Sequence, residues 1–143
     1  MALRLIRDVV RGQVLLMCRP EATVGEVAQR MAERHVGAIL VMEEERLAGI
    51  FTERDALVRV IAAGRDPATT AISEVMTRAV NTISPDRPLL HALHEMHENN
   101  FRHVPVVEHD RPVGIVSIRD ALGDELIALG RELEVKQAIL EVR

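Results

Sequence analysis

Aromatic side chains are almost missing from this chain of 143 residues: it has no Trp and no Tyr, and Phe51 and Phe101 stand alone. Platforms that stack the bases of single-stranded nucleic acid need aromatic faces, so that class of function is set aside. The core must instead be assembled from Val, Ile, Leu, Ala and Met. Cys18 is the single cysteine, which rules out an internal disulfide and makes a reducing cytoplasm the expected setting. The net charge is −4 and the arginines are scattered, leaving no basic stripe to neutralise a phosphate backbone, so no nucleic-acid partner is expected. Residues 1–8 are too charged and too short for a signal peptide, and no apolar run approaches a membrane span, so no membrane association is expected. The length suits one compact domain or two small interlocked ones.

What is present is a repeat. Gly49-Ile50-Phe51-Thr52-Glu53-Arg54-Asp55-Ala56-Leu57 and Gly114-Ile115-Val116-Ser117-Ile118-Arg119-Asp120-Ala121-Leu122 share six of nine positions at an offset of 65, and Thr52 and Ser117 both carry a hydroxyl. The offset holds backwards without a gap, pairing Pro20 with Pro85, Met31 with Met96, Val41 with Val106 and Arg46 with Arg111. Further upstream, Arg7-Asp8-Val9-Val10 resembles Ser73-Glu74-Val75-Met76 at an offset of 66, so one residue is gained or lost in between.

Each repeat reads as strand, helix, strand, strand, helix. In the first, residues 14–18 form a short apolar strand before Arg19-Pro20. Thr23 caps a helix to about Arg34, with Glu26 three residues on, and Val24, Val27, Ala28 and Met31 share one face. Residues 38–42 are a buried strand, 43–45 a turn and 46–51 the next strand; a second helix runs from Thr52 to about Ala63, ended by Gly64 with Pro67 beyond. Residues 64–72 are the linker. In the second repeat the strands fall at 80–83, 103–107 and 111–116, and the helices at 88–99 and from Ser117. Neither unit alone can bury both faces of its sheet. The expected fold is therefore α+β, an α/β sandwich-like pair of β-α-β-β-α repeats packed about a pseudo-two-fold axis, with a cleft between them. The expected boundaries are 5–66, 72–130 and a helical extension over 131–143. In that extension Leu126, Leu129, Leu133 and Leu140 approach heptad spacing, Gly130 weakens the helix and Lys136 interrupts the stripe. It reads as packing on its own domain or as contact with a second chain, and a role in dimerisation is the expectation.

These residues resemble the CBS domain, whose typical ending is Gly, two apolar residues, Ser or Thr, two variable residues and Asp. Arg102-His103-Val104-Pro105-Val106-Val107 is similar to the usual second strand, and Ile72-Ser73-Glu74-Val75-Met76-Thr77 to the usual leading segment. The resemblance covers residues 5–130. It implies a CBS pair, or Bateman module, of the small stand-alone type. Such pairs bind adenosine-containing ligands: AMP, ADP, ATP, NAD or S-adenosylmethionine. It also implies a homodimer of pairs and an effector protein that receives the signal.

The motif has a plain physical meaning beside the functional one. A hydroxyl followed three residues later by an acid caps a helix, and this alone accounts for Thr52 with Asp55 and Ser117 with Asp120. The same geometry suits a nucleotide. Free amides at a helix start attract phosphate, an aspartate in the first turn can accept from both ribose hydroxyls, and Arg54 and Arg119 can pair with phosphate. By resemblance, Asp55 and Asp120 are the ribose positions and Thr52 and Ser117 line the phosphate path. Adenine would lie against Val36, Gly37 and Ala38 in one repeat and Phe101, Arg102 and His103 in the other. Gly37 and Ala38 leave room for a flat ring; Arg102 and His103 narrow that room but can contact phosphate, so two unequal sites are expected. Leu40 stands where Pro105 sits in the second repeat. Of the first strands, Thr82 can offer a hydroxyl to the site, whereas Met17 and Cys18 cannot.

His91, His94 and His97 recur every third residue, but three-residue steps spread ligands too widely for one tetrahedral ion, and a solvated helix face is the expectation. There is no Gly-rich phosphate loop ending in Lys-Ser/Thr, no nucleophile elbow and no HExxH, so neither an enzyme nor a catalytic cofactor is expected. The expected function is a regulatory module that senses an adenosine-containing ligand, AMP, ADP or ATP above all, in the cleft. The alternatives are a structural adaptor with an empty cleft and, behind it, an enzyme acting through a histidine-bound metal.

Overall fold

A computed structural model describes residues 4–121 and 123–141. The chain runs α1 (Ile6–Val10), β1 (Met17–Cys18), α2 (Val24–Arg34), β2 (Ala38–Glu43), β3 (Arg46–Thr52) and α3 (Glu53–Asp55), which passes directly into a π-helical segment (Ala56–Ile61). A 3-10 turn (Ile72–Glu74) opens the second half, followed by α4 (Leu89–Asn99), β4 (His103–Glu108), β5 (Arg111–Ser117), a 3-10 turn (Ile118–Asp120) and α5 (Gly123–Glu141). No described helix is long and apolar enough to cross a membrane.

Repetition extends to backbone detail. The β2–β3 hairpin slips register between Val41 and Met42, and the β4–β5 hairpin slips between Val106 and Val107, the equivalent place. His35 and Asn100 end α2 and α4 in the left-handed region, at φ 54° and 56°. Thr23 caps α2 through a reciprocal bond with Glu26, as its sequence requires.

The two halves exchange their leading segments. Helix α1 lies on the second repeat, where Ile6 and Val10 join the core of Leu89, Leu93, Val104 and Val116. Its backbone is held by Ile6 N–H to Arg87 O (2.9 Å) and Arg7 N–H to Pro85 O (2.8 Å). Reciprocally, Ile72, Val75 and Met76 enter the first repeat's core with Val27, Ile39, Phe51 and Val60, and Ile72 N–H donates to Ala22 O (2.8 Å). Each fully buried aliphatic side chain here contributes roughly 1.5–3 kcal/mol. The motif glycines mark the crossings: a Cβ on Gly49 would lie 2.7 Å from Thr77 O, and one on Gly114 would lie 2.5 Å from Val10 Cβ. At the first crossing Thr77 and Ile50 exchange backbone hydrogen bonds of 2.9 and 3.0 Å. At the second, the Gln13 side-chain amide takes the place of that backbone, accepting from Ile115 N–H (2.7 Å) and donating to Ile115 O (3.0 Å). The one-residue difference between repeats falls here, beside Gly12 at φ 75°.

Three expectations are corrected. The strand expected over 14–18 is only Met17–Cys18, and Val14 is exposed. The strand expected over 80–83 is a single bridge, Ile83 to Val106. Pro105 explains the difference between repeats: in the first, Leu40 N–H donates to Leu16 O (3.1 Å), and Pro105 has no N–H to make the equivalent bond to residue 81. The helix expected from Ser117 stops after one 3-10 turn because Ala121 is extended (ψ 133°). Arg4 Nη2 donates to the Asp120 carbonyl (2.6 Å), the acceptor a continued helix would use. Helix α5 then runs unbroken through residue 130. Leu129 is buried against α4 and Leu133 partly so, while Leu126 faces outwards. Leu122 lies outside the described residues, as does the side chain of Leu140.

Candidate functional site

A cavity of about 570 Å³ opens between the repeats. From the first repeat come Ile50, Thr52, Glu53, Arg54, Asp55 and Leu57, at the end of β3, in α3 and at the start of the π-helical segment. The second repeat supplies Thr77, Ala79, Val80 and Asn81 before its single bridge, and Asn100, Phe101, Arg102 and His103 before β4. Six residues singled out from sequence therefore meet in one place: Thr52, Arg54, Asp55, Phe101, Arg102 and His103. Val36, Gly37, Ala38, Ser117, Arg119 and Asp120 do not line this cavity.

Asp55 is buried, and both of its carboxylate oxygens are engaged. Oδ2 accepts from Thr52 N–H (3.0 Å) and from the Thr52 hydroxyl (3.1 Å), closing the capping box. Oδ1 accepts from the Thr77 hydroxyl (3.4 Å) and lies 3.6 Å from Arg59 Nε. Arg59 also donates to Met76 O (2.9 Å), so it ties the carboxylate to the exchanged segment. The π-helical turns turn Val60 into the core and leave Leu57, Val58 and Ile61 exposed. Arg54 does not point a free guanidinium at the cavity: its Nη1 donates to Asn100 O (3.1 Å), joining the rim of one repeat to the other.

Asp120 repeats only part of this. Its Oδ2 accepts from Ser117 N–H (2.7 Å) and the Ser117 hydroxyl (3.4 Å). Arg4, which holds its carbonyl, is ion-paired to the buried Glu125 (2.6 Å).

Beside Gly37 and Ala38, side chains of the facing residues come close. A Cβ on Gly37 would lie 3.0 Å from Glu53 Oε1 and 3.2 Å from His103 Nε2, so these side chains approach the glycine closely. Ala38 is buried with Leu40 and Ile50 in the cluster that joins the repeats. Burial holds the His103 imidazole below its ordinary pKa; Glu53 opposes this, Arg119 and Arg102 add to it, and Asp120 opposes it. Thr82 does not reach the cavity either, and lies at a separate shallow hollow with Arg87 and His91.

Sequence reasoning missed Ile50, Glu53 and Leu57 of the first repeat, and Thr77, Ala79, Val80, Asn81 and Asn100 of the second. Thr77 lay within the recognised leading segment, but nothing in the sequence says that this segment packs on the other repeat. Pro105 takes one sheet hydrogen bond from Asn81, a difference visible in the sequence only as Leu40 against Pro105, while Ala79 and Val80 lie outside the strand as Val14 and Leu15 do in the first repeat.

His94 bridges Glu98 (3.0 Å) and Glu132 (3.3 Å), linking α4 to α5, while His91 and His97 are exposed. No group of three His, Cys, Asp or Glu side chains suited to a metal ion occurs among the described residues. Burial pushes the Cys18 thiol up to about 11, against the opposing charge of Arg30.

Comparison with known proteins gives a consistent result. The CBS domain profile matches residues 6–62 and 72–124. CBSX3, a mitochondrial CBS domain-containing protein of Arabidopsis thaliana, is 36% identical over 112 residues, covering 75% of this chain and 54% of its own length. The chain thus spans about half of that relative. YhcV of Bacillus subtilis, a CBS domain-containing protein, is 36% identical over 115 residues, 80% of this chain and 81% of its own. The CBS domain protein PAE2072 from Pyrobaculum aerophilum, solved in complex with AMP, superposes with a TM-score of 0.79 at 25% identity, over 90% of this chain and 99% of that one. The CBS domain pair of MJ0100, solved with 5′-methylthioadenosine and S-adenosyl-L-methionine, gives 0.73 at 27% identity, over 83% and 93%. With both repeats matched and their exchanged segments in place, the chain belongs to the CBS domain family, as a tandem pair.

Proposed function

We propose that this chain is a regulatory module that binds an adenosine-containing ligand in the cleft between its repeats and passes the bound state to a partner protein, without catalysing a reaction. One observation carries the reading: a cavity combines apolar walls, a buried carboxylate and two arginines. Ile50, Leu57, Val80 and Phe101 suit a flat base. Asp55 suits a cis-diol, with Thr77 and Arg59 keeping its oxygens oriented. Arg102 and Arg54, with His103, suit an anionic tail once Arg54 releases Asn100. About 570 Å³ falls within the usual range for a small-molecule pocket. That PAE2072 was solved with AMP and MJ0100 with S-adenosyl-L-methionine supports the ligand class.

Signalling would work by population shift. A ligand touching both repeats favours the arrangement in which they close on it. A second copy of this chain is the first partner proposed, an effector protein the next, and the cytoplasm the proposed setting. The exposed Leu57, Val58 and Ile61 also favour a second reading, an adaptor whose contacts lie on its surface.

A thermal-shift screen against AMP, ADP, ATP, NADH and S-adenosylmethionine separates the two. A ligand at a hundred times its Kd stabilises by about 2.7 kcal/mol, which moves the melting point of a chain this long by about 9 °C. No shift with any of the five at millimolar concentration contradicts the sensor and leaves the adaptor.

A further inference from the structure

We infer that this pair has one ligand site, not two: the half of the cleft at Asp55 is open, and the half at Asp120 is closed by the chain's own side chains. This rests on the ligand reading above and adds the occupancy that reading leaves open. Three independent differences between the repeats lead to it.

The first is backbone. Leu40 N–H ties Leu16 into the first repeat's sheet, whereas Pro105 cannot tie residue 81 into the second. The Asn81 carbonyl therefore lacks that sheet bond, and Asn81 lies with Ala79 and Val80 in a wall of the open cavity. The proline thus removes one sheet hydrogen bond at the wall that faces Asp55.

The second is occupancy by the protein itself. The place where the pseudo-two-fold puts Arg102 on one side holds Gly37 on the other. The space that glycine vacates is taken by the Glu53 carboxylate and the His103 ring, at 3.0 and 3.2 Å from where a Cβ would lie. Both side chains line the open half, so the residues that shape one half also reach into the other.

The third is the carboxylate. Asp55 is buried and flanked on Oδ1 by the Thr77 hydroxyl and Arg59. Asp120 is only half-buried, and the turn that carries it is clamped from behind by Arg4, itself locked to Glu125.

Isothermal titration of the full chain with AMP, ADP, ATP and S-adenosylmethionine reads the stoichiometry directly. One ligand per chain is expected. Asp55→Asn, which keeps an oxygen for the cap, is expected to weaken binding by about tenfold or more, the usual effect of losing hydrogen bonds to a charged group. Asp120→Asn leaves the affinity unchanged. Val80→Phe fills the open half without touching either cap and abolishes binding, so the inference does not depend on the Asp55 variant folding well. Two equivalent ligands per chain, or equal losses in the two Asp variants, overturns the single site while leaving the ligand reading intact. No heat with any of the four ligands overturns the ligand reading and the single site with it.

Discussion

Replacing Gly114 by Ala places one methyl group where α1 already lies. The new Cβ would sit 2.5 Å from Val10 Cβ and 2.6 Å from Val10 Cγ1, far inside van der Waals contact. Gly114 is within β5 and has no left-handed backbone, so the effect is one of space alone. Val10 is buried in the second repeat's core and cannot turn away, so the helix must shift. Overpacking of this kind costs about 1–3 kcal/mol, offset by about 0.4–1 kcal/mol because Ala restricts the unfolded chain. A net loss of about 1.5 kcal/mol, divided by an unfolding entropy of about 0.3 kcal/mol/K for this length, lowers the melting point by about 5 °C. Gly49→Ala meets the Thr77 carbonyl, an atom that no rotamer change can move, and should cost at least as much. Gly130→Ala is the control: nothing lies within 4 Å of its new Cβ, and mid-helix it should gain about 0.5–1 kcal/mol. Calorimetry of the three variants checks the ranking. A Gly114→Ala protein that melts at or above the wild type refutes the exchange of leading segments.

Pro105→Leu returns an N–H to the second repeat's sheet; amide exchange near residue 81 should slow, stability should rise by about 0.5–1.5 kcal/mol, and nucleotide affinity should fall as the cavity wall is drawn in. Unchanged affinity beside a restored strand would separate Pro105 from the site. His103 is held below its ordinary pKa by burial, with Glu53, Arg119, Arg102 and Asp120 around it. The unfolded chain therefore binds the extra proton first on acidification, and stability falls as the pH drops through the ordinary histidine range. His103→Gln should show a shallower loss between pH 7 and pH 5 in denaturant titrations; an identical slope would remove His103 from the account. Cys18, buried and with its thiol pushed up to about 11, should resist iodoacetamide in the native chain at neutral pH and react once denaturant is added; rapid native labelling would contradict its burial.

The repeat, the bounds of α2 and α4 and the capped turns were legible in the sequence because they depend on local signals. Thr23 with Glu26 and Thr52 with Asp55 are complete capping boxes within four residues. The exchange of α1 and the 72–76 segment was not legible, because both packings use the same apolar residues and the same offset. The backbone bonds of Ile6 to Arg87 and Ile72 to Ala22, and the close approaches at Gly49 and Gly114, distinguish them. Half of the site residues named from the motif do meet in the cavity. The other half do not, since a motif repeats exact spacing while the site depends on what fills the space opposite. Gly37 shows this most clearly: a residue without a side chain suggests room, yet Glu53 and His103 occupy it. Pro105 shows the reverse, a familiar strand residue whose missing N–H takes a sheet bond from Asn81 in the wall across from Asp55.

The central claim is that the cleft beside Asp55 holds an adenosine-containing ligand, and a crystal structure of the chain with whichever nucleotide raises its melting point most tests it directly. The account predicts one ligand per chain, its ribose hydroxyls on the Asp55 carboxylate and its base against Ile50 and Val80. A nucleotide bound elsewhere, or a ribose on Asp120 with the Asp55 cavity empty, would contradict it.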